Sequence, residues 1–186
     1  MQILPGYRIS ASISEGFNTS VYRGIRNSDE QPVIIKILKA EFPTLEQITR
    51  LKHEYKITQN LHIEGIVKAY RLETYQNRIA LILEDFGGDV LSHSTKLNLP
   101  AFLKIAVQLA STLKSLHRNS IIHKDIKPSN IIINSATGTV KITDFSVASR
   151  LRKENPQLNN INLVEGTVAY MSPEQTGRMN RTLSTS

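Results

Sequence analysis

The densest set of chemically capable residues lies between His123 and Ser146, where HKDIKPSN is followed, after two short apolar runs, by Asp144-Phe145-Ser146. Asp125, Lys127, Asn130 and Asp144 there supply two carboxylates, an ammonium group and an amide. Transfer of a phosphoryl group to a hydroxyl needs such groups: a partner for the nucleophile, cations to neutralise phosphate oxygens, and oxygen ligands for metal ions. Hard cations such as Mg2+ prefer these oxygen donors and keep waters, so no His or Cys ligand is required. Upstream, Lys36 stands in the run VIIKIL, and Glu54 in the segment LKHEYKITQNL that follows it.

The elements that must position these groups can be read from periodicity. From Tyr7 to Leu38 apolar clusters broken by turn formers, with Val21, Val33, Ile34, Ile35 and Ile37, predict three antiparallel strands. Leu45 to Leu61 switches to helical spacing through Leu45, Ile48, Leu51, Tyr55 and Leu61, with Thr44 as N-cap. Strands are predicted at Val67 to Glu73 and Ile79 to Glu84, and Gly87-Gly88 follows as a hinge-like connector. Asn98 and Pro100 open a helix whose Phe102, Ile105, Ala106, Leu109, Leu113 and Leu116 form one apolar stripe. The runs IIIN and VKIT flank the turn SATGT and read as a hairpin, while Asn155 to Asn162 reads as a loop.

In this order and spacing the motifs resemble those of eukaryotic-type Ser/Thr protein kinases, whose catalytic loop H-R-D-x-K-x-x-N and metal loop D-F-G are likewise separated by a hairpin. The resemblance implies that Asp125 accepts or orients the substrate hydroxyl proton and that Lys127 steadies the transferred group. It implies that Asn130 and Asp144 coordinate Mg2+, and that Lys36, paired with Glu54, handles the α- and β-phosphates of ATP. ISEGFNTSVYRG matches the family's glycine-rich loop only at Gly16 when aligned on Val21. Ser14 and Thr19 take the outer glycine positions. LILEDFGGD resembles the connector between the lobes, with Leu83 as gatekeeper, backbone groups near Glu84 and Phe86 for adenine, and Asp89 toward the ribose. GTVAYMSPEQTGRMNR resembles the end of an activation segment, in which Thr167 would touch Asp125 and Lys127. YMSPEQTGRMNR, ILEDFGG and HKDI together resemble the amino-terminal kinase domains of cyanobacterial-type multi-sensor signalling kinases. There the kinase precedes ATPase-like and sensor modules and often a histidine kinase.

The resemblance implies an α+β, two-lobed kinase-like fold: residues 1–88 as a complete β-rich lobe with its hinge, and residues 89–186 as a partial helical lobe. Because Ser186 follows shortly after Glu174, a fragment with an incomplete lobe and exposed apolar surface on the Leu103 to Leu116 helix is expected. Lys124 replaces the arginine that in the family binds a phosphorylated activation loop. A bidentate clamp becomes a point charge, and weaker dependence on that phosphorylation is expected. Ser146 in place of the metal-loop glycine should restrict positive φ. Lys127, two residues after the aspartate, resembles Ser/Thr rather than Tyr kinases, so a protein hydroxyl is the expected acceptor. The alternative is an inactive pseudokinase or docking module, suggested by the altered glycine loop and the missing helices.

Composition narrows the remaining classes. The 186 residues are 40% hydrophobic and 21% charged, in the range of a globular domain. Absence of cysteine excludes disulfides and thiolate metal sites. No signal-peptide pattern or membrane-length apolar run is present, and a soluble, cytoplasmic protein is expected. The net charge of +7 is spread without a dense basic run, so no nucleic-acid partner is expected.

Overall fold

The computed structural model describes residues 4–93, 97–150, 166–173 and 175. The β-branched runs of the first part form one antiparallel sheet of β1 (Tyr7–Glu15), β2 (Thr19–Arg26), β3 (Gln31–Leu38), β4 (Ala69–Tyr75) and β5 (Arg78–Glu84). Its strand order is β1-β2-β3-β5-β4. Successive side chains of a strand point to opposite faces. Val33, Ile35 and Ile37 of β3 therefore join Ala80 and Ile82 of β5 in one buried cluster with Leu4 and Tyr7. Lys36 has Val21 and Leu81 as register partners, which puts these three residues together on the other face.

Between β3 and β4 runs α1 (Leu45–Thr58), started by Thr44. Thr44 Oγ1 accepts from the Gln47 N–H, and Gln47 Oε1 accepts from the Thr44 N–H, a reciprocal capping box that satisfies two donors at the helix start. The buried residues are Leu51, Glu54, Ile57 and Thr58. This differs from the predicted stripe. Leu45 is 80% exposed, because six residues before Leu51 it lies well away from the buried face, and an acidic residue takes the centre of that face.

After Gly88 the chain forms β6 (Asp89–Val90), α2 (Leu99–Arg118), β7 (Ile121–Ile122), β8 (Ile131–Asn134), β9 (Thr139–Ile142) and β10 (Ser149–Arg150). One small sheet has the order β6-β8-β9, and β10 pairs with β7. Asn98 caps α2 by accepting from the Ala101 N–H at 2.9 Å. Gln108 ties the helix to the β8–β9 hairpin: Nε2 donates to the Gly138 carbonyl and Oε1 accepts from the Val140 N–H. The predicted stripe is only partly the buried face. Ile105 and Leu116 are buried, but Phe102 is about half exposed and Thr112 is buried instead. Thr112 fits because its hydroxyl donates to the Gln108 carbonyl and Gly65 lies directly on it. A Cβ at residue 65 would come 1.8 Å from that hydroxyl oxygen.

The chain divides into two compact units, Met1–Leu61 with Val67–Gly87, and His62–Ile66 with Gly88–Ser186. His62–Ile66 belongs to the second because Ile66 bridges to Ile142, whose N–H donates to the Gly65 carbonyl. The break at Gly87 uses a backbone with φ +74°, which glycine adopts without steric cost. Among the described residues no helix is long and apolar enough to cross a membrane.

Candidate active site

In the second unit, a loop between β7 and β8 gathers the groups that the sequence placed at positions 125, 127 and 130. Lys127 is extended, and side chains two apart in extended backbone project to the same side, so Asp125 and Lys127 meet. The Lys127 Nζ lies 2.8 Å from Asp125 Oδ2. Pro128 then starts a single 3-10 turn, Pro128–Asn130, that folds the next residues back. Asn130 is buried, and its Nδ2 donates to the Asp125 carbonyl at 2.9 Å and to Asp125 Oδ2 at 3.0 Å.

Thr167 completes the cluster. Its N–H and hydroxyl both donate to Asp125 Oδ1 at 2.8 Å, and its hydroxyl accepts from Lys127 Nζ at 2.7 Å. The Asp125 carboxylate thus accepts four hydrogen bonds from neighbouring groups. Burial pushes its pKa up, but the bonds from Lys127 and Thr167 together with the lysine charge outweigh burial and hold the carboxyl below its ordinary value. Asp125 is ionised at neutral pH and shares one hydroxyl with Lys127.

His123, which the sequence reading assigned no role, joins this loop to the end of β9. It is buried, with Nε2 donating to the Thr143 carbonyl at 3.0 Å and Nδ1 accepting from the Asp125 N–H at 3.3 Å. Burial is the largest influence on its imidazole and lowers the pKa, against the opposing effect of the Thr143 carbonyl. A neutral ring fits a site that uses one nitrogen as donor and the other as acceptor. The Thr143 N–H donates in turn to the Asn130 carbonyl, and the Phe145 ring packs edge-on against His123 with centroids 4.6 Å apart. Asp144 stands between these two anchored residues. The positive φ of this turn falls on Asp144, at +64°, and Ser146 is not among the left-handed residues. A serine at 146, with its restricted access to positive φ, is compatible with this backbone.

In the first unit, Lys36 Nζ and Glu54 Oε2 form an ion pair of 2.7 Å, with side chains 13% and 3% exposed. Glu46, at the start of the same helix, pairs instead with Arg50 on its exposed side. Ser14 and Val21 are register partners, as are Val21 and Lys36, and Lys36 and Leu81. The pleat therefore puts Ser14, Thr19, Val21, Lys36 and Leu83 on one face of the sheet, the face opposite the buried cluster. Gly16 closes the β1–β2 hairpin by donating to the Thr19 carbonyl at 2.8 Å, and Phe17 at its tip is 98% exposed. The hairpin is also held from outside. The Lys39 N–H donates to the Asn18 carbonyl, Gln47 Nε2 to Asn18 Oδ1, and Lys39 pairs with Glu15.

Of the connector residues, Leu83 is buried in β5, and Glu84 exchanges bonds with Lys68: its N–H donates to the Lys68 carbonyl and its carboxylate accepts from the Lys68 N–H. Phe86 is half-buried. Asp85, for which the motif gives no role, is nearly buried, pairs with Arg23 at 2.7 Å and accepts from the Gly87 N–H. Asp89 belongs to the second unit, on β6, where its carboxylate accepts from the Val90 N–H and meets His93. Asn155 to Asn162 and Glu174 lie outside the described residues.

Residues 7–185 match the family described as the protein kinase domain. The chain belongs to the protein kinase family. This kinase domain is 30% identical over 181 residues to "Serine/threonine-protein kinases drp72" of Corynebacterium efficiens, covering 92% of this chain and 34% of that protein. It is 30% identical over 183 residues to "Probable serine/threonine-protein kinase PknB" of Lactococcus lactis, covering 95% and 29%. With "Serine/threonine-protein kinase PrkC" of Bacillus subtilis it shares 32% identity over 174 residues, covering 91% and 26%. The chain spans about a quarter to a third of the length of these relatives.

Kinases of this family act with ATP and Mg2+. The donor set of the kinase domain fits a hard cation. Both Asp125 oxygens bonded by Asn130 are acceptors, so the amide must turn its NH2 toward them and its Oδ1 away from them. A carbonyl-type oxygen and a carboxylate, such as Asn130 and Asp144 carry, are the kinds of ligand Mg2+ takes when phosphate and water supply the rest. Among the described residues no cluster of three or more His, Cys, Asp or Glu side chains is placed to hold a metal.

Proposed function

We propose that this kinase domain transfers the γ-phosphoryl group of ATP to a Ser or Thr hydroxyl of a protein. The observation that supports it most directly is the ionised Asp125 sharing the Thr167 hydroxyl with the Lys127 ammonium. A carboxylate and an ammonium group that together hold one hydroxyl can hold another in the same way. As the substrate oxygen bonds to the γ-phosphorus, the bond from that phosphorus to the bridging oxygen of ADP breaks, and Asp125 takes the hydroxyl proton. Lys127 offsets charge on the transferred group. Asn130 and Asp144 would hold Mg2+, which supplies neutralisation of the phosphate oxygens.

The β-rich unit carries the nucleotide role in this proposal. Lys36, aimed by Glu54, binds the α- and β-phosphates, while Ser14, Gly16, Thr19 and Val21 line the loop over them. Leu83 and the backbone near Glu84 and Phe86 receive adenine, and Asp89 of the other unit is assigned to the ribose. Residues 1–88 and 89–186 then act as the two lobes.

The proposed parent is a multi-sensor signalling kinase of cyanobacterial type, in which this domain precedes ATPase-like, sensor and histidine kinase modules. HKDI, ILEDFGG and YMSPEQTGRMNR support that reading. The activity is tested with the full-length protein, labelled ATP and Mg2+. Asp125→Asn is expected to slow transfer by about 10² to 10⁴ fold while ATP binding, read by thermal shift, is kept. Transfer at the wild-type rate by Asp125→Asn would overturn the assignment.

A further inference from the structure

The residue before the catalytic aspartate has an unusual backbone, and a distant glutamine holds it. Lys124 has φ +67°, in the left-handed region that side chains other than glycine, Asn and Asp seldom adopt. Its carbonyl accepts a 2.7 Å hydrogen bond from Nε2 of Gln175, 51 positions away. The other end of that amide is also engaged, since Gln175 Oε1 accepts from the N–H and the hydroxyl of Ser172 at 3.3 and 3.2 Å. A carbonyl can only accept and a backbone N–H can only donate, so the two ends of the amide cannot be exchanged. Gly166 packs on the same carbonyl: a Cβ there would lie 2.6 Å from the Lys124 oxygen. Thr167, the next residue, bonds the Asp125 carboxylate. One segment thus grips the peptide before Asp125 and the side chain of Asp125 together.

We propose that Gln175 is a positioning residue for Asp125: by holding the Lys124 carbonyl it keeps Lys124 left-handed and the Asp125 carboxylate aimed at the shared hydroxyl. The inference rests on the kinase reading above for its effect on rate. Gln is suited to this place because Ala offers no donor and Glu, when ionised, turns an acceptor toward an acceptor. A protonated Glu, in contrast, regains an O–H that can donate to Lys124.

The test compares full-length wild type, Gln175→Ala and Gln175→Glu. In the kinase assay Gln175→Ala is expected to lower kcat about tenfold or more with KM for ATP within about twofold, because a positioning loss is felt in the transition state. Gln175→Glu is expected to lose at least as much at neutral pH and to recover relative to wild type as pH falls toward the carboxyl range, whereas Gln175→Ala shows no such recovery. Amide hydrogen exchange over 123–130 is expected to rise in both variants at neutral pH. Wild-type kcat in Gln175→Ala, parallel pH profiles for the two variants, or unchanged exchange over 123–130 would each overturn the inference. If wild type transfers no phosphate, the kinase reading fails, and the exchange measurement still decides whether Gln175 holds the loop.

Discussion

His123 shows how one buried side chain ties the chemistry to the pH range of the fold. Its folded pKa is lowered chiefly by burial, while the unfolded chain keeps the ordinary value of about 6.5. Between those two values the unfolded state binds the extra proton, so stability rises with pH. The contribution is complete above about pH 6.5 and is lost as pH falls below it. Asp125 has the same sign but a lower window. Its pKa is also depressed on folding, so its contribution goes only as the pH drops below the ordinary carboxylate value and through the folded one. The expected result is a thermal midpoint that declines from pH 7 to pH 5, before Asp125 titrates, with the decline flattened in His123→Gln. An equally steep decline in that variant would exclude His123 as its source. Asp125, Lys127 and Asn130 were legible in the sequence because their geometry is local: extended backbone, then one proline-started turn, converts their spacing into proximity. The part played by His123 was not legible, because its partner is the carbonyl of Thr143, twenty positions on, which carries no sequence signal.

At the scale of elements, the start of α1 and the β1–β2 hairpin share Gln47. Its Oε1 completes the capping box with Thr44 while its Nε2 reaches Asn18 at the hairpin tip. A loop with a single glycine is thereby held from outside, where a glycine-rich loop would rely on its backbone freedom. The two duties can be separated by substitution. Thr44→Ala removes only the cap and is expected to cost about 0.5–2 kcal/mol of stability in denaturant unfolding. Asn18→Ala leaves the cap intact and is expected to change stability little while raising KM for ATP several-fold in the kinase assay. An unchanged KM in Asn18→Ala would mean that the tether has no part in nucleotide binding. The helix, its N-cap and Glu54 were legible from periodicity and family position, but the buried face was not. An apolar count favours Leu45, whereas the ion pair with Lys36 turns Leu51, Glu54 and Ile57 inward. Periodicity registers hydrophobic faces, and here the decisive residue of the face is a carboxylate.

Over the whole molecule, the apolar residues of α2 outnumber those its own unit buries. Ile105 and Leu109 pack with Ile131 and Val140 of the hairpin. Leu99, Phe102, Leu103 and Val107, at spacings of three, four and eight, form a second stripe that is 51% to 69% exposed. The sequence showed that the helix is apolar, yet a single stripe could not reveal that two faces compete, only one of which meets the hairpin. An exposed apolar stripe favours association between copies. The net charge of +7 opposes it, since like charges repel at distances set by the salt. Raising ionic strength from about 0.01 M to 1 M shortens the screening length roughly tenfold and leaves apolar attraction in place. Self-association of the 186-residue chain is therefore expected to increase with salt in sedimentation velocity. Phe102→Gln with Val107→Gln is expected to abolish that increase while shifting the thermal midpoint only slightly, because half or more of each side chain is already in water and glutamine suits a helix. Association that weakens with salt, or that persists in the double variant, would place the attraction in charge complementarity or in another surface, and the α2 stripe would then have no part in it.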